Sequence, residues 1–573
     1  MAMLITGLSD AEPASATVPP VRDSTSKTVT ADALPTVQIN GVVWTQVMIG
    51  NVVYAGGEFT AVRPAGATAG QHEMPRKNLL AYNITTGALV ASFVPGAFNG
   101  AVRTLAVSPD KKTLYAGGDF TMVGTAARGH FVALNASTGV LRSLKPSFNS
   151  SVRALAANSK TVYVGGAFSV ASGKARSRLA AVKASDGKLR SWKAKANASV
   201  HALLLTSGSK LLVAGGMFTK LNATAASGSG AVSPTNGKTK TWKVNKVVKN
   251  GGKASSILSL TTDGTTVYGG GYTYGTGNFE GVYAASSKDG TLQWLQDCHG
   301  DTYSVAPIGD IVYSVGHAHY CSNIGGFPDT SDDSKLRTTW YRALAVSKKA
   351  VGTVAKNGQT SARTYTNFEG KPAPALFNWF PNLSAGTYTG MSQGAWSVVG
   401  NGAYISLGGE FPKVNGTPQQ GLVRMAIPAV APNEVGPAGG SASPAVVAAQ
   451  QSGGRVVVSW DQLWDRDDLR LTYELRRNGV VIDKRTVSVP FWERMTMSFV
   501  DTGAASAGTS TVTYQVKVTD PHGNTVKSSV ISVAPPSDND PDTEPTPEAS
   551  TLADPDETVN SEGDETPATV ESP

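Results

Sequence analysis

The chain has 573 residues, 40 % of them hydrophobic and 16 % charged, and no apolar run long enough to span a membrane, so it is a folded body with room for several domains and without membrane insertion. Its 50 basic and 42 acidic residues give +8, but residues 538–573 hold twelve of the acids and no Lys or Arg, leaving 50 against 30, or +20, on the remainder. A basic body suits polyanions such as wall polymers, acidic glycans or nucleic acid, and the absence of any defined nucleic-acid-binding motif argues against the last.

The chain opens with MAMLITGLSDAEPASA. Its short apolar run and the small-x-small ending Ala14-Ser15-Ala16 match the end of an export signal whose basic region is missing, so residues 1–16 are expected to be a signal remnant and 17–34 a flexible leader. Extracellular or cell-surface placement follows as an expectation.

From residue 35 onward one pattern recurs: VVYAGGEFT at 52–60, TLYAGGDFT at 113–121, TVYVGGAFS at 161–169, LLVAGGMFT at 211–219, TVYGGGYTY at 266–274, IVYSVGHAHY at 311–320 and AYISLGGEF at 403–411. Each copy follows an apolar strand such as VRTLAV or VHALLL and precedes a hairpin with an Asp-Gly or Asn-Gly turn, so each unit is expected to supply four strands, a to d. Seven units at a spacing near 50 residues predict a seven-bladed β-propeller over 35–428, with Gly-Gly closing strand b where a side chain would obstruct a close approach. The last unit lacks a strand d, and LPTVQINGVVWTQV at 34–47 reads as a strand d running into a strand a, so the N-terminal strand is expected to complete the seventh blade.

The strings NGAVRTLAVSPDKKTLYAGGDFTMVG (99–124) and NSSVRALAANSKTVYVGGAFSVASG (149–173) resemble the delta-sixty-repeat propellers, a family of unknown function common in exported bacterial proteins. The resemblance spans about 35–430 and is strongest in the first four units; units five and six depart from it at GGGYTY and SVGHAHY. It implies the propeller and brings no catalytic residues.

Units five and six also hold the only two cysteines, Cys298 and Cys321, which enclose His299, His317 and His319. In a propeller the d–a connections and b–c loops share a face, so these five residues are carried to neighbouring places. Besides unrelated free groups, two readings stay open. A Cys298–Cys321 disulfide is preferred, given export; a metal site using His299, His317, His319 and Asp301 is the other. No further cofactor is expected.

Residues 429–454 read as a linker, and 455–535 resemble a fibronectin type III domain, with Trp460 at the early core position and Tyr514 at the tyrosine of strand F. Asp465, Asp467 and Asp468 have calcium-ligand character, but a solvated turn is the simpler reading. Residues 536–573, mostly Pro, Thr, Ser and acid with almost nothing apolar, are expected to form a disordered tail.

There is no G-x-S-x-G, H-E-x-x-H or P-loop, so binding is preferred over catalysis and no catalytic residue is assigned. The expected role is exported or surface adhesion, the propeller serving as a platform for a glycan or cell-wall polymer. The alternatives are a carbohydrate-active enzyme (glycosidase or lyase) or accessory module of a polysaccharide-degrading system, using Asp297, Asp301 and His299 as acid and base, and a purely structural surface protein. Unit six is the most elaborated, with a b–c loop at 321–339 and a c–d insertion at 348–374 expected on the opposite face. The ligand site is therefore placed at His299, Asp301, His317, His319, Tyr320, Phe327 and Trp340. The channel mouth near Arg103, Arg153, His201 and Tyr303 is a second location, where stabilising neighbouring backbone is the preferred duty.

Overall fold

The computed structural model describes Pro19 and residues 28–331, 339–359, 365–437, 444–451, 455–504 and 511–534. The signal remnant, nearly all of the leader before residue 28, parts of the linker and the acidic tail lie outside the described residues. What is described is all-β: antiparallel sheets, none closed into a barrel, and three short 3₁₀ turns.

Seven sheets carry the repeats. Their first strands are Val42–Ile49, Val102–Val107, Val152–Ala157, Val200–Leu205, Ser255–Thr262, Thr302–Ile308 and Ala395–Gly400. Each pairs with the strand that follows it, which carries Gly-Gly in every sheet but the sixth, and packs beside the first strand of the next sheet, and the last lies beside the first. The glycines explain this close approach. A Cβ on Gly56, Gly117, Gly165, Gly215, Gly270 or Gly408 would fall inside 3 Å of a β-branched residue in the first strand of the neighbouring sheet, respectively Val102, Val152, Val200, Ile257, Thr302 and Val43. Sheet six inverts the arrangement: Val315 stands where the others have glycine, and it packs in one cluster with Ala395 of sheet seven, where the others have a larger residue. The volume is kept while its source changes sides.

The second glycine has a different role. A Cβ there would overlap a carbonyl of the paired segment, as Gly118 would overlap Ala101 O, because every first strand shifts register at its second, third or fourth residue. These shifts are β-bulges, each leaving one residue unpaired: Trp44, Arg103, Arg153, His201, Leu258, Tyr303 and Trp396.

Four regular strands per unit were expected, and only sheets four to six have them. In sheets one to three the outer segment makes a single bridge, such as Leu134 with Leu141, and then leaves the edge to pair with the small hairpin of the next unit, as Phe98 does with Val123. Its remaining polar backbone is thereby satisfied elsewhere. Sheet seven is completed from the chain's start: Leu34 bridges Arg424, and Thr30 N and Leu34 N donate to Ala426 O and Arg424 O at 2.8 and 3.0 Å.

The insertion of unit six does not stay on the opposite face. Tyr341–Thr353 pairs with Pro372–Leu376 through two register shifts, which bend this long hairpin. Val354 and Phe368 bury beside Phe279, Trp294 and Ile324. Its tip therefore arrives at the b–c loop: Ala355 N donates to Asn323 O at 2.8 Å, and Gly358 N to Tyr320 Oη at 3.2 Å.

The C-terminal domain has a three-stranded sheet facing a sheet built on Arg470–Arg477 and Val512–Thr519. Trp460, Tyr473 and Tyr514 fill its core. It docks on sheets six and seven. Asn378, wholly buried, donates to Asp465 O at 3.1 Å and accepts from Phe491 N at 3.0 Å; Phe380 N donates to Arg466 O at 2.7 Å. Around these bonds Phe327, Tyr341, Phe380, Trp464, Phe491 and Trp492 form a continuous aromatic cluster. The beginning of the linker is held too, since Asp32 Oδ1 accepts from Glu434 N and Val435 N at 3.0 and 3.1 Å. This docking removes Asp465, Asp467 and Asp468 from water, at 0, 7 and 2 % exposure, so they do not form a solvated turn. Burial, with the neighbouring carboxylates, holds the Asp465 carboxyl well above its ordinary range and pushes Asp467 up to about 6.

Candidate functional site

The seven bulge residues line one solvent-open pocket with a volume of about 90 Å³. A bulge turns its extra residue out of the alternation of the strand, and seven first strands in cyclic order turn theirs to the same place. Repeat geometry thus fixes seven positions while leaving their side chains free to differ. Here they are two tryptophans, a tyrosine, two arginines, a histidine and a leucine.

The aromatic members touch. Trp44 and Trp396 have ring centroids 4.8 Å apart, Tyr303 and Trp396 4.1 Å, and the Arg103 guanidinium carbon lies 4.5 Å over Trp44. Arg103 Nε donates to Asp119 Oδ2 at 2.7 Å, whereas its buried Nη1 and the buried Nε1 of Trp44 have no partner. Arg153 Nη1 lies 3.3 Å from His201 Nε2, and His201 Nδ1 lies 2.9 Å from Ser256 Oγ. A guanidinium can only donate, so Nε2 accepts and Nδ1 carries the proton. Burial and the adjacent Arg153 charge push this histidine down to about 3, keeping it neutral. Tyr303 is raised well above its ordinary value by burial and by Asp301, to whose Oδ2 its hydroxyl donates at 3.3 Å.

Through Tyr303 the cavity meets the histidine stretch, since its hydroxyl lies 3.0 Å from His317 Nδ1. Cys298 and Cys321 are joined in a disulfide with Cα atoms 4.4 Å apart, and the chain has no other cysteine. The remaining predicted residues divide into two groups. Asp301, His317 and Trp340 are half-buried near the cavity mouth. His299, His319 and Tyr320 are buried, at 1, 4 and 6 % exposure, because the unit-six insertion covers them. Tyr365 stacks on His299 at 3.7 Å, Gln359 bonds His299 Nδ1, and Asp329 holds His319 Nδ1 at 2.8 Å. Phe327 is fully buried 3.8 Å from Tyr341 within the interdomain cluster, so it cannot face a ligand; the docking of the second domain is the reason.

The expected metal set of His299, His317, His319 and Asp301 is not brought together either. His299 Nδ1 is turned to Gln359, His319 to Asp329 and Tyr365, and His317 Nδ1 to Tyr303 and Gln393, while His317 Nε2 accepts from Asp301 N at 3.5 Å and the buried His299 Nε2 has no hydrogen-bond partner. Among the described residues, the group whose ligand atoms converge is Asp465, Asp468 and Asp520.

No family model matches the chain, and no curated protein matches it. Among solved structures, one match is the crystal structure of the computationally designed Ika8 protein, 14 % identical over 70 % of this chain and 100 % of that one. Its TM-score of 0.37 is too low to carry an argument. Among the described residues no helix is long and apolar enough to cross a membrane.

Arg103, Arg153, His201 and Tyr303 were visible in the sequence as matching places in strand a. Trp44, Leu258 and Trp396 occupy the same column, each twelve residues before the glycine of its unit that meets the neighbouring sheet. Gln359 and Tyr365 carry no such signal, because they reach the histidines from an insertion outside the repeat.

Proposed function

We propose that the seven repeat sheets are the blades of a β-propeller, that the C-terminal domain is a fibronectin type III-like sandwich, and that the chain is an exported binding protein whose ligand enters the central cavity. The ring reading is supported by the cyclic order of the first strands and the seven bulge residues sharing one cavity. The sandwich reading is supported by two facing sheets around Trp460 and Tyr514.

The observation that carries the binding reading is the lining itself. Residues that served only to pack a ring would be small and apolar, whereas this cavity presents three aromatic faces and two arginines, with unpartnered donors at Trp44 Nε1 and Arg103 Nη1. Aromatic faces suit the C–H faces of sugar rings, and guanidinium and indole donors suit a carboxylate. The ligand class is an acidic glycan, an oligosaccharide with uronate or similarly carboxylated units, and the +20 body attracts it at long range. This moves the binding site from the covered histidines to the channel mouth, with Asp301, His317 and Trp340 at its rim. Export is supported by the disulfide alone.

The test is calorimetric titration of the full chain with a panel of neutral and uronate-containing oligosaccharides. Acidic members should bind, and Trp396→Ala and Arg103→Gln should each weaken them about tenfold or more, the scale of one lost stacking or charge-assisted contact. Wild-type affinity in both variants, or a panel with no binder, rules out the cavity as a glycan site.

A further inference from the structure

The larger sheet of the C-terminal domain orders its strands as Val480–Ser488, Arg470–Arg477, Val512–Thr519 and Thr525–Lys527. Leu471, Tyr473 and Leu475 of one central strand and Tyr514, Val516 and Val518 of the other point into the core, so the alternate positions point out. The charged groups at those outward positions are Arg470, Arg476, Lys484, Lys517 and Lys527 against Glu474, five cations to one anion. Glu474 is already taken. It accepts from Arg476 Nη2 at 2.8 Å and lies 3.1 Å from Lys484 Nζ, and these two cations hold its carboxyl below the ordinary range. Lys517 and Lys527 face each other in register on neighbouring strands. Like charges directly opposite are destabilising, and among the described residues neither lysine has an ion-pair partner, so the sheet carries a cation pair that an anion from outside it would offset.

We infer that the acidic segment 538–573 lies over this outer face, with the carboxylates of Asp538, Asp540, Asp542 and Glu544 paired to Lys517 and Lys527. The segment holds twelve acids and no Lys or Arg, the complement of the face. It also leaves from the same sheet, since Ile531–Val533 pairs with Val512–Tyr514. Val533 lies opposite Val512, and Lys517 stands five positions further along that strand, roughly 17 Å at about 3.3 Å per residue. The four acids follow Val533 by five to eleven residues, a reach of roughly 16–36 Å when extended. Their spacing of two puts all four carboxylates on one side of an extended segment. Attachment favours this segment over a free polyanion, because a tethered partner meets the face at an effective concentration on the order of millimolar. The contact shields the basic face of the C-terminal domain from the polyanions that the rest of the body attracts, and it does not depend on what enters the central cavity.

The experiment is acetylation of lysine amines in the full chain, followed residue by residue by mass spectrometry at about 20 mM and about 0.5 M sodium chloride. The comparison is the full-length variant carrying Asp538→Asn, Asp540→Asn, Asp542→Asn and Glu544→Gln, which alters no residue of either sheet. At low salt Lys517 and Lys527 should react about threefold or more slowly in the wild type than in the variant, the scale of a few surface ion pairs, and the higher salt should remove the difference. Lys188 and Lys240, exposed on the repeat sheets, should react alike in both chains. Carbodiimide, which joins an amine to a carboxylate in contact with it, should couple Lys517 or Lys527 to residues 538–544 within a single chain. Equal low-salt rates in the two chains, or couplings spread evenly over Lys188 and Lys240, overturn the docking. Protection that arises in both chains only when heparin is added assigns the face to an external polyanion and overturns the acidic segment as its occupant.

Discussion

Gly117→Ala adds a methyl where sheets two and three meet. The new carbon would lie inside 3 Å of Val152 Cγ1 and 2.9 Å from Thr104 Cγ2, against an ordinary carbon contact of about 3.5–4.0 Å, so the sheets must part by roughly 1 Å. Overpacking of this kind costs about 1–3 kcal/mol, and both neighbours belong to strands that cannot move alone, so about 2–3 kcal/mol is expected. Val152→Ala by itself removes two buried methyl groups and costs about 2 kcal/mol. Combining the two moves the contact toward the inverted pairing present at Val315 and Ala395, and the double variant should be about 2 kcal/mol more stable than the sum of the single effects requires. Gly118→Ala is the control, because its methyl would overlap a backbone carbonyl that Val152→Ala does not move. Urea denaturation of the wild type, the three single variants and both doubles measures the coupling. Additivity of Gly117→Ala and Val152→Ala within about 0.5 kcal/mol would refute the close-approach argument.

Replacing Cys298 and Cys321 together by Ala reopens a loop of 23 residues' separation and should cost about 3 kcal/mol, read as a lower melting temperature that reducing agent reproduces in the wild type. His201 is held neutral with a folded value of about 3 against 6.5 unfolded, so the unfolded chain binds more protons between these values. Stability is therefore full above pH 6.5 and falls as pH drops toward 3, by on the order of 4 kcal/mol; His201→Gln should flatten that dependence in melting curves, and an unchanged slope would count against it. Asn378→Ala leaves Phe491 N and Asp465 O without their buried partner, which should cost about 2–3 kcal/mol and speed cleavage in residues 429–454 under limited proteolysis. Removing residues 1–40 takes away Leu34 and Thr30, the partners of Arg424 and Ala426, and should lower the melting temperature sharply.

The repeat was legible because close packing leaves a mark in composition: only glycine, or Val315 opposite Ala395, fits between adjacent sheets, and this requirement returns in every unit. The bulge column was half legible, since its residues share a position and not a type; aligned on Gly-Gly, Trp44 and Trp396 fall beside Arg153, while Arg103 is offset by two residues. The disulfide could be read from the repeat, which brings Cys298 and Cys321 onto adjoining loops. What could not be read depends on contacts outside the repeat. Phe327 looks like an exposed aromatic of an elaborate loop until Phe491 and Trp492 cover it. His299 looks like a ligand until Tyr365 stacks on it. Asp465 looks like a surface turn until Asn378 binds its carbonyl.

The pairing of Leu34 with Arg424 also sets a timetable. During synthesis at about 5–20 residues per second, the segment before residue 40 leaves the ribosome some 20–80 seconds ahead of its partner. Ala31 waits longer still, since Asp467 lies 436 residues away. The inner units can fold in order as they emerge, each on the edge of the one before, while the two ends remain open edges. Pairings of such high sequence separation carry the largest loop-closure cost and form last. The chain is therefore most vulnerable to strand exchange with a second copy in the interval before residue 426 is made, and a ribosome stalled short of that point would present a stacked but unclosed array with an unpaired edge at each end.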